Sequence, residues 1–252
     1  MSVAAQRWTQ DEPEELEGWE PEEILAWAYR TYRRVAIVAS FQAESIVLID
    51  MACRVVERPE VLTLDTGRLP EETHELIDRV RDRHPIDLRV QSPDPDEVAE
   101  MVGAHGQNLF RRSVELRHRC CDVRKVRPLA RALAGHDAWI TGLRRDQSGS
   151  RARTPVVQVD RAHGGIAKIV PLARWTRDRV WAYVEEHDLE RHPHYARGYR
   201  SIGCAPCTRG VGPSEDERAG RWWWEDSAVK ECGLHWTGGR PVRAAHALES
   251  TR

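Results

Sequence analysis

Short apolar runs alternate with helix-length segments through most of this 252-residue chain. The run VAIVAS at 35–40 is apolar in all but its last residue, which is typical of a strand that is buried on both faces. A helix-length stretch at 43–56 follows it, and the same order recurs further along. We predict strands at 35–40, 61–65, 86–91, 138–143, 154–160 and 168–171, and helices at 21–33, 43–56, 70–83, 122–133 and 176–187. This pattern predicts an α/β fold with a doubly wound, mostly parallel sheet.

The two ends of the chain differ from this middle part. Residues 1–20 are acidic and polar, so we expect a loosely docked segment there. From Arg191 the pattern gives way to Gly, Pro, Arg, Trp and Cys. We therefore divide the chain into an N-terminal segment at 1–20, an α/β domain at 21–210 and an irregular C-terminal tail at 211–252.

Composition excludes several classes of function. The 38 basic and 40 acidic residues give a formal charge of −2, which provides no general attraction for nucleic acid or an anionic membrane. The longest apolar runs are too short to cross a bilayer, and the acidic start does not resemble a secretory signal. We expect a cytoplasmic protein.

Four of the six cysteines form two close pairs. Cys120 and Cys121 are adjacent, and Cys204 and Cys207 form a CxxC motif. Paired cysteines are typical of zinc sites, and a CxxC by itself also fits a redox dithiol. Adjacent thiolates diverge, however, so they suit a 4Fe–4S cluster, in which each can bind a different iron. We favour the cluster and keep zinc as the alternative.

The other two cysteines differ in their surroundings. Cys53 lies in the apolar stretch LIDMACRVV and is expected to be an inert residue of the core. Cys232 lies in the polar tail between Lys230 and His235, two groups that can favour its thiolate. From the residues alone, a reactive and an incidental thiol are equally good interpretations of Cys232.

Polar residues follow three of the predicted strands, where ligands bind in parallel sheets. The loop SFQAES after the first strand lacks the glycines of ATP-pyrophosphatase loops, and we expect the side chains of Phe41 and Gln42 to crowd it. It therefore suits one phosphate or sulfate group better than an ATP tail. The remaining candidates follow the second and later strands: Asp65, Thr66 and Gly67 in LDTGRLP, and Gly142, Arg144 and Arg145 in TGLRRDQS.

Basic residues accompany the cysteines and the tail. Lys125 lies about one helical turn after Cys121, where it can offset cluster charge or face the substrate. Arg218 and Arg221 precede three consecutive tryptophans, 222–224. Exposed tryptophans are unfavourable, so we expect this segment to fold down as a lid, or else to pack on the flank of the sheet.

Together these motifs resemble the phosphosulfate reductase family, in particular bacterial assimilatory adenylylsulfate (APS) reductases. The matching elements are SFQAES, LDTGRLPEET, CCDVRKVRPL, TGLRRDQSGSR, SIGCAPCT, GRWWWE and KECGLH, which span residues 40–235 in the family's order. The CC…CxxC set and ECGLH are the most specific of them.

The resemblance implies a fold like that of the adenine nucleotide alpha hydrolases and one 4Fe–4S cluster on Cys120, Cys121, Cys204 and Cys207. It makes Cys232 the nucleophile that attacks the sulfur of APS, releases AMP and forms a thiosulfonate. Thioredoxin or a similar dithiol then releases sulfite. It also implies that these residues contact substrate: Ser40, Phe41, Asp65, Thr66, Gly67, Lys125, Gly142, Arg144, Arg145, Arg218, Arg221 and His235.

Three alternatives remain at this point. A PAPS reductase performs the same chemistry on a substrate with a 3′-phosphate, and the complete cysteine set favours APS over it. An ATP-pyrophosphatase that adenylates its substrate is disfavoured by the missing loop glycines. A non-enzymatic metal-binding interaction protein would leave Cys232 and the arginines without a role.

Overall fold

A six-stranded sheet forms the centre of the computed structural model, which describes residues 15–225. The strand order is β3-β2-β1-β4-β6-β5, and β5 alone runs antiparallel to its neighbour. The α/β prediction with a mostly parallel sheet is therefore confirmed. The strands are β1 Val35–Ala39, β2 Glu60–Leu64, β3 Asp87–Gln91, β4 Ala138–Ile140, β5 Val157–Asp160 and β6 Ile166–Ile169.

Helices cover both faces of the sheet, as the alternation predicts. Thr176 caps one of them by accepting a hydrogen bond from the N–H of Arg179 at 3.2 Å. Two helices were not predicted. One begins after Asp94, whose side chain accepts from two backbone N–H groups, and it buries little besides Met101. The other spans Val114–Cys121 and ends in the two adjacent cysteines. The helices are α1 Pro21–Thr31, α2 Ala43–Val55, α3 Glu71–Arg83, α4 Pro95–His105, α5 Val114–Cys121, α6 Arg127–Ala132 and α7 Arg177–Glu186.

Alternate residues of β1 enter two different cores, because successive side chains of a strand point to opposite faces. Ile37 packs into the main core with the apolar faces of α1, α2 and α7. Ala36 packs on the other face with Leu62, Leu129 and Trp139. Burial on both faces explains why the strand sequence is continuously apolar.

The direction of the chain reverses between β1 and β4. From β1 it passes outward to β2 and β3, and then returns to place β4 on the other side of β1. The loops that follow β1 and β4 therefore diverge, which opens a crevice at the carboxyl ends of these strands. This crevice contains the cleft described below.

The segment before α1 is more firmly attached than its composition predicts. Leu16 is 2% exposed and belongs to the main core. The carboxylate of Glu17 accepts hydrogen bonds from Arg145 and from the N–H of Val156. The expectation of loose docking is thus wrong for residues 15–20, while residues 1–14 lie outside the described part of the chain. Within residues 15–225, no helix is long and apolar enough to cross a membrane.

Candidate active site

A polar cleft lies at the carboxyl ends of β1, β2 and β4. Its floor includes Trp139, and its walls come from the loops after these strands and from the segment after residue 200. Loops of three strands therefore meet the C-terminal part of the chain at one place. The polar lining residues are Ser40, Gln42, Glu44, Ser45, Thr63, Thr66, Thr73, Lys125, Thr141, Gln147, Arg151, Ser201, Glu217, Arg218 and Arg221.

The loop after β1 turns through a left-handed residue, Phe41, with φ 54°. Such a conformation costs about 1–2 kcal/mol for a residue with a side chain. Here it places the ring in the main core, fully buried. The expectation that Phe41 crowds the loop is therefore wrong, and Ser40 is left at the cleft. The N–H of Ser40 donates to Ser45 Oγ at 3.0 Å, which ties the loop to the first turn of α2.

Gly142 allows the loop after β4 to pack against α2. A Cβ at this position would lie 2.8 Å from the Cβ of Glu44. No real side chain tolerates that distance, so the residue must be glycine for the two elements to meet. This close approach fixes the direction in which the loop leaves the sheet.

Arg144 and Arg145 follow this glycine but face different groups. The side chain of Arg144 is 1% exposed and contacts three carboxylates, those of Glu44, Asp146 and Glu217. Glu44 and Glu217 line the cleft, so Arg144 neutralises the acidic groups of its wall. Burial raises the pKa of Glu217, and Arg144 opposes that rise.

Arg145 points to the N-terminal segment. Its Nη2 lies 2.7 and 2.8 Å from the carboxylate oxygens of Glu17, and its Nε donates to the carbonyl of Thr154 at 2.8 Å. Neither Arg144 nor Arg145 is among the residues that line the cleft. The direct substrate contacts predicted for these two arginines are therefore not supported by the geometry.

Cationic groups from distant parts of the chain line the cleft: Lys125, Arg151, Arg218 and Arg221. The Nε of Arg221 is buried and has no hydrogen-bond partner within residues 15–225, and its Nη1 reaches the carbonyl of Ile202 only at 3.4 Å. A Cβ at Gly203 would overlap this guanidinium. Arg221 is thus held at the cleft with donor capacity to spare, which suits an oxyanion.

The four paired cysteines converge beside the cleft. Cys120 and Cys121 end helix α5, and the chain continues as a wider π-helical turn at Asp122–Val126. Cys204 and Cys207 flank a short turn, Ala205–Cys207. All four thiols line one small cavity together with Arg68, Phe110, Arg117, Arg124, Lys125, Pro206 and Trp222. Lys125 lines both this cavity and the cleft.

The thiols of this cavity differ in acidity. Burial would raise the pKa of Cys204, but Lys125, a hydrogen bond with Thr66 and nearby arginines together lower it. Burial raises the pKa of Cys120. Burial and the neighbouring Cys204 raise the pKa of Cys207 to about 12. The cationic surroundings therefore favour a thiolate most strongly at Cys204.

Trp222 covers the cysteine cavity. Its backbone has φ 43°, its N–H donates to the carbonyl of Cys207 at 3.1 Å, and its ring is 1% exposed. Trp224 packs beside Phe110, whereas Trp223 is 38% exposed. The tryptophan segment thus closes over the cysteines and does not pack on the flank of the sheet.

Comparison with known proteins agrees with this site. The model of the phosphoadenosine phosphosulfate reductase domain matches residues 34–210. The chain is 47% identical to the adenosine 5′-phosphosulfate reductase of Burkholderia cepacia over 88% of either protein. The chain belongs to the phosphoadenosine phosphosulfate reductase family. An Allochromatium vinosum protein of the same name is 46% identical, over 84% of this chain and 83% of that protein.

Two solved structures share the fold of this chain. The PAPS reductase from Candida auris, in a phosphate complex, gives a TM-score of 0.69 with 26% identity over 81% of this chain and 98% of that one. Yeast FAD synthetase gives a TM-score of 0.56 with 12% identity over 81% of this chain and 70% of that one. The second likeness concerns the fold alone.

Half of the twelve residues predicted to contact substrate line the cleft: Ser40, Thr66, Lys125, Gly142, Arg218 and Arg221. Lys125 additionally lines the cysteine cavity, whereas Phe41 is buried in the main core and does not line the cleft. Asp65 and Gly67 do not line it: the N–H of Gly67 donates to Asp65 Oδ1 at 2.9 Å in a turn where Gly67 has φ 67°. Cys232 and His235 lie outside the described residues, so their roles stay predictions.

Several residues that line the cleft were not predicted from the sequence, including Ser45, Gln147, Arg151 and Ser201. Arg151 is 8% exposed and donates to the side-chain oxygen of Gln147. It lies in the same motif, TGLRRDQSGSR, as Arg144 and Arg145, which were predicted to contact substrate. The motif therefore indicated that one of its arginines contacts substrate, but only the fold shows which arginine points towards the cleft.

Proposed function

We propose that this chain reduces APS to sulfite and AMP in sulfate assimilation, through a thiosulfonate on Cys232. The observation that carries the proposal is the position of Lys125, whose side chain lines both a cationic cleft and the cysteine cavity. The relatives named adenosine 5′-phosphosulfate reductase support the choice of substrate.

The cleft has the groups that an adenylylated sulfate requires. Ser40 and the amino end of α2 can receive one oxyanion, because backbone N–H groups and the helix dipole favour negative charge there. Lys125, Arg218 and Arg221 supply positive charge from the other wall. As the bond between sulfur and the phosphate oxygen breaks, negative charge grows on AMP, and these fixed cations stabilise it.

The proposed first step transfers the sulfonate group. The Cys232 thiolate attacks the sulfur of APS, an S–S bond forms, and the S–O bond to AMP breaks with its electron pair on AMP. The product Cys232–S–SO₃⁻ persists until a dithiol attacks it. One thiolate of thioredoxin or a similar dithiol then attacks the Cys232 sulfur and displaces sulfite, which leaves a mixed disulfide. The second thiolate of the dithiol attacks this mixed disulfide, forms the disulfide of the dithiol and releases Cys232 as a thiolate.

We propose that Cys120, Cys121, Cys204 and Cys207 hold one 4Fe–4S cluster. These residues fit such a group: their thiols surround one cavity, and Arg68, Arg124 and Lys125 can balance the negative charge. The buried Nε1 of Trp222 has no hydrogen-bond partner in the described chain, and a sulfur acceptor in the cavity would satisfy it. When bound, the cluster would polarise and position the substrate's surroundings and would not carry electrons in turnover.

A single zinc ion fits the same thiols less well. Both thiols of the adjacent Cys120 and Cys121 would have to be grouped on one small tetrahedral ion, which strains the backbone because neighbouring side chains diverge. A cluster places its ligands on four separate irons, so it does not need that grouping. Anaerobic purification and analysis of iron and sulfide decide between them: about four of each per chain is expected, and stoichiometric zinc without sulfide would refute the cluster.

A cytoplasmic location is part of the proposal. The five cysteines within residues 15–225 are all free, as is usual in a compartment that keeps thiols reduced. Reduced thioredoxin, the proposed electron donor, requires the same conditions.

Mass spectrometry of the purified protein tests the mechanism. Without reductant, APS should add one SO₃ group to the peptide that contains Cys232 and release one AMP, and thioredoxin should then release sulfite. Cys232→Ser should do neither, since a hydroxyl is a far weaker nucleophile. Cys53→Ser is the matched control: burial raises the pKa of Cys53 to about 11, so this thiol should be inert. Turnover by Cys232→Ser would refute the mechanism.

The competing substrate is PAPS, which carries an additional 3′-phosphate and gives the Candida auris reductase its name. We expect a much higher kcat/KM for APS, because family members that lack the four paired cysteines usually take PAPS and this chain has all four. A competition assay with both substrates measures the ratio directly. Equal or reversed preference would assign the chain to PAPS.

A further inference from the structure

A fully buried ion pair joins the cysteine helix α5 to the end of the described chain. Arg117 donates from Nε and Nη2 to the two carboxylate oxygens of Glu225, both at 2.9 Å. The side chains are 1% and 4% exposed. This is the fork-to-fork geometry in which a guanidinium fixes both the position and the orientation of a carboxylate.

The surroundings of the pair make it rigid. The guanidinium carbon of Arg117 lies 4.6 Å from the ring centroid of Trp222, and that of Arg221 lies 4.7 Å from the same centroid. The N–H of Glu225 also donates to the carbonyl of Trp222 at 2.9 Å. Glu225 is therefore held through its backbone and its side chain at once.

Such a pair is unusual as a device for stability alone. Taking both charges out of water costs free energy that their attraction barely repays, and an apolar pair of similar size would stabilise a fold as well. What the ion pair adds is a defined geometry. The residue that it fixes, Glu225, precedes Cys232 by seven residues in the sequence.

The number of residues between Glu225 and Cys232 limits how far Cys232 can lie from the ion pair. Arg221 lines the cleft, and Glu225 follows it by four residues, so the two Cα atoms are at most about 14 Å apart. Cys232 follows Glu225 by seven residues, which can span at most about 25 Å. A tether that starts at Glu225 can therefore reach the cleft.

We propose that Arg117 and Glu225 are a positioning pair, which fixes the starting point and direction of the chain that delivers Cys232 to the cleft. The inference rests on the proposed role of Cys232. Neither side chain is among the residues that line the cleft, so the pair does not act through substrate contacts, although Arg117 does line the cysteine cavity.

The test compares Glu225→Gln with a control in the same segment, Glu215→Gln. Glu215 also pairs with an arginine, Arg209, but this pair is far more exposed. A double variant, Arg117→Met with Glu225→Gln, removes both charges and so avoids an unpaired buried charge. For each protein we would measure AMP release on addition of APS without reductant, the Kd of AMP, and iron content.

A positioning role predicts a split between these measurements. Without the pair, the side chain of Glu225 no longer fixes where the chain towards Cys232 starts, so Cys232 meets the substrate in a less defined orientation, and we expect AMP release to slow by about 3–10-fold. In Glu225→Gln, which leaves the cavity-lining Arg117 in place, the Kd of AMP and the iron content should stay within twofold. Glu215→Gln should match the wild type.

Two results would overturn the inference. One is AMP release in both Glu225 variants within twofold of the wild type. The other is a parallel loss of AMP affinity and iron, which would mean that the pair only holds the fold together.

Failure of the proposed function can be recognised separately, since the wild type itself would then release no AMP. In that event, trypsin cleavage after Arg221 measures the attachment of the tail without turnover. Faster cleavage in Glu225→Gln than in Glu215→Gln would support the anchoring role of the pair, and equal cleavage would overturn it.

Discussion

The hydroxyl of Thr66 lies 3.3 Å from the sulfur of Cys204. Thr66 also lines the cleft, and its Oγ1 accepts a hydrogen bond from the N–H of Arg68 at 3.2 Å. One side chain at the end of β2 thus contacts both the substrate site and a cysteine of the proposed cluster. The two sites are neighbours that share their walls.

This contact predicts that Thr66→Val changes the metal site without unfolding the protein. Valine has nearly the same shape but offers no hydrogen bond to sulfur, and such bonds raise the reduction potential of iron–sulfur clusters. A redox titration should therefore show a more negative potential. Thr66→Ser keeps the hydroxyl and should restore the wild-type value; an unchanged potential in Thr66→Val would contradict the contact.

Lys125 provides the second prediction, because it lines both cavities. Lys125→Gln removes its charge, and loss of one donor to a developing anion typically costs about 2.7–4 kcal/mol, or about 10²–10³ in kcat. Lys125→Arg keeps the charge in another geometry and should recover part of the loss. The measurement is kcat for APS with thioredoxin in excess. Full activity of Lys125→Gln would exclude a role for this charge.

The third prediction separates two arginines that the sequence treats alike. Arg145→Ala removes a partly exposed pair with Glu17, which should lower the free energy of unfolding by about 1 kcal/mol or less and leave KM unchanged. Arg221→Ala removes a charged donor from the cleft, which should raise KM by about 10–150-fold. Steady-state kinetics and urea unfolding of both variants give the comparison. A large rise of KM in Arg145→Ala would contradict the geometry.

A fourth prediction concerns acid stability. His192 Nε2 pairs with Thr73 Oγ1 at 2.9 Å, and its Nδ1 accepts the N–H of His194 at 3.1 Å, so protonation would break the second bond. Burial, reinforced by His194, lowers the pKa of His192 from 6.5 to about 4. Between pH 4 and pH 6.5 the unfolded chain binds a proton at His192 that the folded chain does not. The contribution of His192 to the free energy of unfolding is therefore fully present above pH 6.5 and is lost as the pH falls towards 4.

The contribution of His192 to the free energy of unfolding should fall by about 2 kcal/mol between pH 7.5 and pH 5. Anaerobic urea unfolding of the wild type and His192→Gln at both pH values measures it, because the difference between the proteins cancels contributions of other groups. The variant should be less stable at pH 7.5 but should lose less on acidification. Parallel pH profiles would show that His192 does not titrate in this range.

Local patterns were sufficient to predict the layers of the fold. The apolar run that became β1 was recognisable because both of its faces are buried, and Thr176 was recognisable as a cap because a hydroxyl satisfies a free N–H at a helix start. Helix α4 was missed because it buries only Met101 completely, so its apolar periodicity is weak.

The sequence by itself determined the chemistry that is available: the spacing of Cys120, Cys121, Cys204 and Cys207, and the motifs that mark the family. Only the tertiary structure decided which side chains take part in this chemistry. Arg144 and Arg145 are adjacent, yet one binds carboxylates beside the cleft and the other binds Glu17, while Arg151 enters the cleft. The physical reason is that an arginine is directed by the carboxylates and anions that the folded chain brings near it, and sequence spacing does not specify those partners.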